Sequence, residues 1–325
     1  MISAYVHDWN PILLELVGPL AIRWYGLAYL LSFFLGFLLL KHLASRKLWV
    51  LPPDEVSDFI AMSAMLGVFL GGRLGYVLFY MIPDHGIQYI LNDPLTIIRV
   101  WDGGMASHGG ILGLILYTFY YARKKGVSWT GVGDGLCVVA PIGIFCVRMA
   151  NFINGELYGR VDTLCKWGIK FPSTLFDPKA PEYVNYNEAI SEAHNLKPLA
   201  PGAYPSPEYV TDVLRSFPQY HQSLEQLLQP RHPSQLYEGL LEGLLLFLIL
   251  FFIRINKPNL GNGIITGLFF IIYASGRIFA EQFREPDSAL IGYFTKGQFY
   301  SIFMLIIGAG FLCWGLTKGK REKSS

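Results

Sequence analysis

The sequence predicts an all-α polytopic membrane protein with seven transmembrane helices. Hydrophobic residues make up 52% of the 325 residues and charged residues only 15%. The mean hydropathy of +0.37 is too high for an ordinary soluble domain. The formal net charge of +2 is too small to indicate a nucleic-acid partner. The chain is therefore expected in a lipid bilayer, without a nucleic acid.

Apolar runs locate the predicted spans. A span needs about 20 predominantly apolar residues. The first run has neither a basic segment before it nor a small-residue cleavage site after it, so a retained helix is predicted rather than a signal peptide. The seven stretches are 20–40, 57–81, 105–122, 132–150, 235–254, 263–281 and 298–316.

The distribution of positive charge predicts the orientation. One set of connections, together with the C-terminus, carries twelve Lys and Arg residues, whereas the short loops on the other side carry only Arg99, Arg284 and Lys296. By the positive-inside rule the N-terminus is outside and the C-terminus cytoplasmic, as an odd number of spans requires. Tryptophans that fit interfacial anchors are Trp24 and Trp101 outside and Trp49, Trp129 and Trp314 inside.

A proline-rich, charged stretch separates two groups of spans. We predict three regions: 1–159 with helices 1–4, 160–232 as an extracytoplasmic head or flap, and 233–325 with helices 5–7. Within the head, Asp177 to Tyr183 and Pro198 to Pro207 are expected to be loop-like, whereas Glu208 to Phe217 could form a short helix. Its role is open at this stage.

Small residues recur at helical spacing in three spans. Glycines four apart allow close helix contact in lipid, so packing is the preferred interpretation. The glycines are Gly67, Gly71, Gly75, Gly109, Gly113, Gly239 and Gly243.

The four cysteines indicate no chemistry of their own. Cys137, Cys146 and Cys313 lie in apolar runs, and Cys165 stands alone in a polar stretch. Neither a disulfide framework nor metal-ligand spacing can be recognised. No metal and no cofactor are predicted.

Charged side chains inside the spans are the first candidates for function. Each costs roughly 2.5–3.5 kcal/mol on insertion scales, so several in one bundle need a reason. Arg73, Arg148, Arg277 and Glu281 all fall toward the outer side. Tyr273, Arg277 and Glu281 are four residues apart, so they share one helix face.

Arg148 begins a polar helix end that also contains Asn151, Asn154 and Glu156. Arginine donates two parallel hydrogen bonds to phosphate, so arginines at headgroup depth favour a phospholipid ligand. The alternative is that each arginine reaches the interface or pairs with a buried acid, for example Arg277 with Glu281. For Arg73 both interpretations stay open.

His108 follows a glycine-containing turn at the start of the third span. Histidine can accept a proton near neutral pH, which makes His108 a candidate general base. A single histidine at a helix start is more often a hydrogen-bonded interfacial residue.

Six motifs occur in order along most of the chain outside the head. They are Trp24-Tyr-Gly, Gly71-Gly-Arg-Leu-Gly-Tyr, Trp101-Asp-Gly-Gly-Met followed by His108-Gly-Gly, Arg148-x-x-Asn-Phe-Ile-Asn-Gly-Glu, Arg231-His-Pro-Ser-Gln-Leu-Tyr-Glu and Gly276-Arg-x-x-x-Glu. Together they resemble the bacterial phosphatidylglycerol–prolipoprotein diacylglyceryl transferase family. One departure is that Cys146-Val147 and Met149-Ala150 flank the signature arginine, where the family commonly has small glycines.

The resemblance implies transfer of a diacylglyceryl group from phosphatidylglycerol to the lipobox cysteine of a prolipoprotein signal peptide. The products are a thioether and glycerol phosphate, and the location is the bacterial cytoplasmic (inner) membrane, with the site toward the outer leaflet. The implied catalytic residues are His108, Arg148 and Arg277. The implied substrate-binding residues are Tyr25, Arg73, Asn151, Asn154, Glu156, Gly159, Gln235, Tyr237, Tyr273 and Glu281.

Two rival functions are compatible with parts of the sequence. A transporter or flippase for an anionic solute or lipid could use the same arginines, but needs access from both sides. A serine protease built on Ser107 and His108 is disfavoured because adjacent residues cannot readily form the nucleophile–base hydrogen bond. The sequence leaves open the acyl-chain preference, the prolipoprotein clients, the oligomeric state, and whether His108 or a tyrosine such as Tyr25 accepts the proton.

Overall fold

The computed structural model of the protein describes residues 4–16, 21–100, 103–286 and 290–318. Trp101, Asp102 and most of the basic C-terminal stretch lie outside these ranges, so the predictions for them have no structural counterpart. The helices are α1 (Trp24–Ser45), α2 (Val56–His85), α3 (Ile87–Asn92), α4 (Ser107–Lys125), α5 (Trp129–Ile153), α6 (Tyr186–Leu196), α7 (Pro207–Ser216), α8 (Pro218–Leu227), α9 (Ser234–Asn256), α10 (Ile264–Ala280) and α11 (Lys296–Thr317).

Among the described residues, five helices are long and apolar enough to cross a membrane: α1, α2, α5, α9 and α11. Helix α10 is apolar but has 17 residues. Helix α4 has 19 residues, with His108 at its start and three basic residues in its last turn. A polytopic α-helical membrane protein is therefore confirmed. The number of seven spans stays a prediction, although a helix overlaps most of each of the seven apolar stretches.

Two small sheets were not predicted by the all-α assignment. Strand β1 (Tyr5–Val6) pairs in parallel with β4 (Ile169–Lys170), and β2 (Ile12–Glu15) pairs antiparallel with β3 (Ala21–Arg23). Strands of two to four residues leave no clear alternating pattern in a sequence, which explains why they were missed.

The chain divides into two compact units. The first comprises Met1–Ser32, Ala140–Ile249 and Phe270–Ile307, and the second comprises Phe33–Val139, Leu250–Phe269 and Gly308–Ser325.

Glycines bring α2 and α4 into close contact in the second unit. A Cβ atom at Gly71 would lie 2.7 Å from the Gly109 carbonyl oxygen, and one at Gly109 would lie 2.7 Å from Gly75 Cα. Any side chain at these positions would force the helix backbones apart. The packing role predicted for these glycines is confirmed.

Asp134 is a fully buried acid of the second unit, and its carboxylate is satisfied on all sides. It accepts hydrogen bonds from Arg254 at 3.1 Å and from the Gly263 amide at 2.9 Å. The Thr266 amide and hydroxyl each donate to it at 2.8 Å. The Asp134 carboxylate of α5 therefore holds the end of α9, the following turn and the start of α10 together.

The head contains more helix than predicted. The helix expected at Glu208 to Phe217 corresponds to α7, whereas α6 and α8 were not predicted. Their apolar faces enclose a core that includes Val6, Val210, Val213, Tyr220 and Leu224, each fully buried. Helices α6 and α8 were not foreseen because short amphipathic helices between prolines give a weak periodic signal.

A buried ion pair joins the head to the segments around it in the first unit. Arg231 donates two hydrogen bonds to Glu182, at 2.9 and 2.7 Å, and a third to the Gly159 carbonyl at 3.1 Å. The guanidinium also lies 4.8 Å from the centre of the Tyr158 ring. These contacts give Arg231 a structural role.

Candidate active site

Glu238 of α9 lies between three arginines of the first unit. Arg148 NH2 lies 2.7 Å from Glu238 Oε2, and Arg277 NH1 lies 2.8 Å from Glu238 Oε1. Arg284 donates to Oε1 at 3.0 Å. Two arginines that the sequence assigned to one site, from α5 and α10, therefore meet at one carboxylate.

Two more glutamates complete this arginine–glutamate cluster. Arg277 NH2 lies 2.9 Å from Glu281 Oε2, one helical turn further along α10. Glu242 Oε1 lies 3.7 Å from Arg277 Nη1, and Glu242 Oε2 lies 4.0 Å from Arg148 Nη2. The pairing of Arg277 with Glu281, raised from the sequence as an alternative to ligand binding, is present.

Although they are paired with carboxylates, Arg148 and Arg277 stay partly exposed. The side chain of Arg148 is 16% exposed and that of Arg277 is 14% exposed, whereas Glu238 is 1% exposed. A guanidinium has five N–H donors, so both arginines keep donors for a further acceptor. The carboxylates therefore hold the guanidinium groups in place, while each guanidinium side chain stays partly exposed.

Three members of the cluster were not among the predicted site residues: Glu238, Glu242 and Arg284. Glu238 ends the motif that begins at Arg231, and Glu242 follows it by one turn in an otherwise apolar helix. Two acids four residues apart in a span were a signal that buried arginines needed partners. Arg284 was counted only as a loop charge.

The polar end of α5 forms a second group in the first unit. Asn151 is buried and its amide nitrogen donates to Tyr25 Oη at 2.6 Å and to Glu156 Oε1 at 2.8 Å. Gln235 donates to the Glu156 carbonyl at 2.6 Å. Gly155 ends the helix with φ of +65°, a conformation that favours glycine. One hydrogen-bond network thus joins three distant parts of the chain, represented by Tyr25, by Asn151 with Glu156, and by Gln235.

Gly159 and Tyr237 lie beside His232. The Gly159 amide donates to the His232 carbonyl at 2.9 Å, and a side chain at Gly159 would collide with the carbonyl oxygens of His232 and Phe283. Tyr237 Oη accepts from Trp167 at 2.6 Å and lies 3.2 Å from His232 Nδ1. Gly159 is therefore required for close packing, and Tyr237 is engaged within the protein.

Arg73, in the second unit, is surrounded by backbone oxygens. It donates to the carbonyls of Ile97 at 2.8 Å and Thr96 at 2.5 Å. It also donates to Gly103 at 2.6 Å and Gly104 at 2.8 Å. Four of its five donors are thus engaged by the segment that precedes α4, and its assignment to substrate binding stays a prediction.

His108 is the second residue of α4 and is exposed. The preceding segment is fixed by Arg73 and by Gly104, whose φ of +85° and contact with the Tyr76 ring leave no room for a side chain. His108 therefore lies at the start of α4, directly after a segment that these contacts fix.

These features define a polytopic helical membrane protein with a buried arginine–glutamate cluster. The chain belongs to the prolipoprotein diacylglyceryl transferase family, whose model matches residues 11–314. Curated phosphatidylglycerol–prolipoprotein diacylglyceryl transferases of Salmonella newport (strain SL254) and Salmonella schwarzengrund (strain CVM19633) are each 37% identical to it over 333 residues. The alignments cover 100% of this chain and 100% of each relative. The family membership predicted from the six motifs is confirmed.

Proposed function

We propose that this protein transfers the diacylglyceryl group of phosphatidylglycerol to the lipobox cysteine thiol of a prolipoprotein. The observation that carries the proposal is the carboxylate of Glu238, which brings Arg148 and Arg277 together. The relatives that align over the whole chain are named for phosphatidylglycerol and prolipoprotein, and these names indicate the two substrates. Those relatives are transferases, so the transporter alternative has no support from them.

The reaction exchanges one bond for another. The thiol sulfur forms a bond to the glyceryl carbon of the lipid, the bond from that carbon to the phosphate oxygen breaks, and its electron pair leaves with glycerol phosphate. The thiol proton must be accepted, because the thiolate is the reactive form. Electrostatic assistance therefore belongs on the phosphate and a base belongs beside the thiol.

Arg148 and Arg277 hold the lipid phosphate and stabilise the charge that develops on the leaving group. Glu238 keeps the two guanidinium groups at the site before the lipid arrives, so the arginines need little reorganisation during the reaction. The other predicted substrate-binding residues of the first unit line the substrate path in this proposal: Tyr25, Asn151, Asn154, Glu156, Gly159, Gln235, Tyr237, Tyr273 and Glu281.

His108 accepts the thiol proton, directly or through a water molecule. Arg73 supports this role by fixing the backbone before α4 through its four carbonyl contacts. In this arrangement Arg73 is a positioning residue, and its one remaining donor is available to the substrate.

The proposed topology has seven spans in the bacterial cytoplasmic membrane, with the N-terminus and residues 160–232 outside and the C-terminus inside. The excess of Lys and Arg on one set of connections supports it. Tyr204 in the head is 89% exposed, so a Tyr204→Cys variant tests the orientation. A membrane-impermeant maleimide should label it in intact cells, and protection until the cells are lysed would reverse the topology.

The activity is tested with purified protein, phosphatidylglycerol labelled in its diacylglyceryl part, and a peptide with a lipobox cysteine. Label should move to the peptide with release of one glycerol phosphate per thioether, and a Cys→Ser peptide is the matched control. Release of phosphatidate instead would mean that a different bond breaks. No transfer by a folded protein would overturn the proposed function.

A further inference from the structure

A cavity of about 180 Å³ lies in the first unit, beside the polar end of α5. Its walls come from three parts of this unit: the N-terminal segment, the end of α5, and the head at Pro172, Ser173 and α7. This volume exceeds the roughly 30 Å³ that one water molecule occupies in the liquid, so a small polar group fits. The residues used below are His7, Arg23, Asn154, Glu156 and Glu208.

His7 is an unusual wall residue. It is 3% exposed and packs against the rings of Phe152 and Phe171 at centroid distances of 5.3 and 5.4 Å. Its ring hydrogen-bonds to the Phe152 carbonyl, while Nε2 has no hydrogen-bond partner among the described residues. Burial lowers the pKa of His7 to about 4. The ring is therefore neutral near pH 7, and Nε2 is an acceptor in need of a donor.

Two further lining residues, Asn154 and Glu156, also present acceptors. The side-chain oxygen of Asn154 is buried and has no partner among the described residues. Glu156 contributes a carboxylate that is held by Asn151. A buried acceptor without a donor costs about 1–3 kcal/mol, so a ligand that donates hydrogen bonds gains by entering.

Charge argues against a phosphate in this cavity and for a hydroxyl-bearing group. Glu156 and Glu208 are both in the lining, and the guanidinium of Arg23 lies 3.7 Å from Glu208 at the rim. The lining therefore holds two carboxylates against one guanidinium, and this formal excess of negative charge disfavours an anion. Neutral hydroxyl groups match the row of acceptors.

The cavity lies on the same helix end as the proposed phosphate site. Asn154 is six residues beyond Arg148, which corresponds to about 9 Å along a helix axis. The Arg148 side chain and a glycerol headgroup attached to a phosphate at its end can together span an axial separation of this size.

We propose that this cavity binds the terminal glycerol of the phosphatidylglycerol headgroup, through hydrogen bonds from its hydroxyl groups to His7, Asn154 and Glu156. The inference rests on the proposed function and adds the part of the protein that selects the headgroup. It also gives the head a role in substrate binding, because α7 forms one wall of the cavity.

The first test needs no variant. Initial rates of transfer to a lipobox peptide are measured with phosphatidylglycerol and with phosphatidylpropanol, which has the same phosphodiester but no headgroup hydroxyls. The loss of two or three hydrogen bonds to buried acceptors should lower kcat/KM about 30-fold or more. Equal rates with both lipids would overturn the glycerol pocket and leave the proposed function intact. No transfer from either lipid would overturn the proposed function itself.

The second test uses His7→Phe, which keeps an aromatic ring between Phe152 and Phe171 and removes the acceptor. KM for phosphatidylglycerol should rise about 10-fold with little change in kcat, while phosphatidylpropanol should be used as before. The control is His194→Phe at an exposed histidine of α6, which should keep the wild-type preference. An equal loss with both lipids would show that His7 is only structural. If His7→Phe does not fold, the lipid comparison with wild-type protein still decides.

Discussion

The Arg148 guanidinium lies 2.7 Å from Glu238, a carboxylate 90 positions further along the chain. Glu238 is almost fully buried and also contacts Arg277 and Arg284. Buried ion pairs add little net stability, because desolvation offsets the attraction. The contact therefore matters chiefly for where it holds the two arginines.

Glu238→Gln should be the most damaging single change in the arginine–glutamate cluster. Three arginines would lose their shared negative charge, and breaking a buried pair costs about 3–5 kcal/mol. Transfer activity should fall about 100-fold or more, and thermal unfolding in detergent should shift to lower temperature. Glu55→Gln is the matched control, because Glu55 pairs with Lys125 at a partly exposed position. Full activity of Glu238→Gln would show that the arginines need no such anchor.

Lysine cannot replace Arg148 or Arg277, since it keeps the charge but loses the planar pair of donors. Each substitution should raise KM for phosphatidylglycerol about 10-fold or more and lower kcat as well, because the leaving phosphate is less well stabilised. Steady-state kinetics with varied lipid measure both. Arg215→Lys, at an exposed pair with Asp212, should have wild-type kinetics. Unchanged kinetics in both site variants would remove the arginines from phosphate binding.

His108→Ala should lower kcat about 100- to 10,000-fold with little change in lipid KM, the range expected for loss of a general base. Added imidazole should restore part of the rate, because it can accept the proton in the space left by the side chain. His85→Ala, at an exposed histidine of α2, is the control for the substitution itself. Retention of full turnover would exclude His108 as the base.

Arg73→Lys should loosen the segment before α4, since one ammonium cannot reach four carbonyl oxygens held by a guanidinium. Faster hydrogen exchange is expected in residues 96–104, together with a lower kcat and an unchanged lipid KM. Arg99→Lys, at a partly exposed pair with Asp93, should change neither. A higher KM without faster exchange would instead assign Arg73 to substrate binding.

His7 makes stability depend on pH. Its pKa is about 4 in the folded protein and 6.5 for a free side chain, so the folded state binds fewer protons between these values. This contribution to the free energy of unfolding is complete above about pH 6.5 and is lost as the pH falls toward 4. It amounts to about 3 kcal/mol at 1.36 kcal/mol per pH unit. Thermal unfolding from pH 7 to 4.5 should show this loss in wild-type protein and a smaller one in His7→Phe; equal losses would contradict it.

Local sequence patterns predicted the helices well where the apolar runs are long. In lipid the backbone must satisfy its own hydrogen bonds, so an apolar run of about 20 residues becomes a helix whatever its neighbours are. The head was predicted less well, because α6 and α8 are short and depend on a common core around Val210 and Tyr220. Their formation depends on packing between segments that a local pattern does not connect.

The candidate site shows the same division. The i,i+4 spacing of Arg277 and Glu281 lies on one helix, and their ion pair at 2.9 Å was foreseen from it as an alternative. The contact of Arg148 with Glu238 depends on how α5 packs against α9, where Gly239 would place a Cβ 2.8 Å from the Met149 side chain. No local pattern reports such an approach.

The sequence by itself determined the membrane class, the family, and the arginines and histidine that chemistry requires, because these follow from composition, local spacing and ordered motifs. Only the tertiary structure decided which acids hold Arg148 and Arg277, that Arg73 is engaged by backbone carbonyls, and that His7 and Asn154 face one cavity. The physical reason is that a charge in an apolar helix must find a partner. Which distant residue becomes that partner is determined by the packing of whole helices.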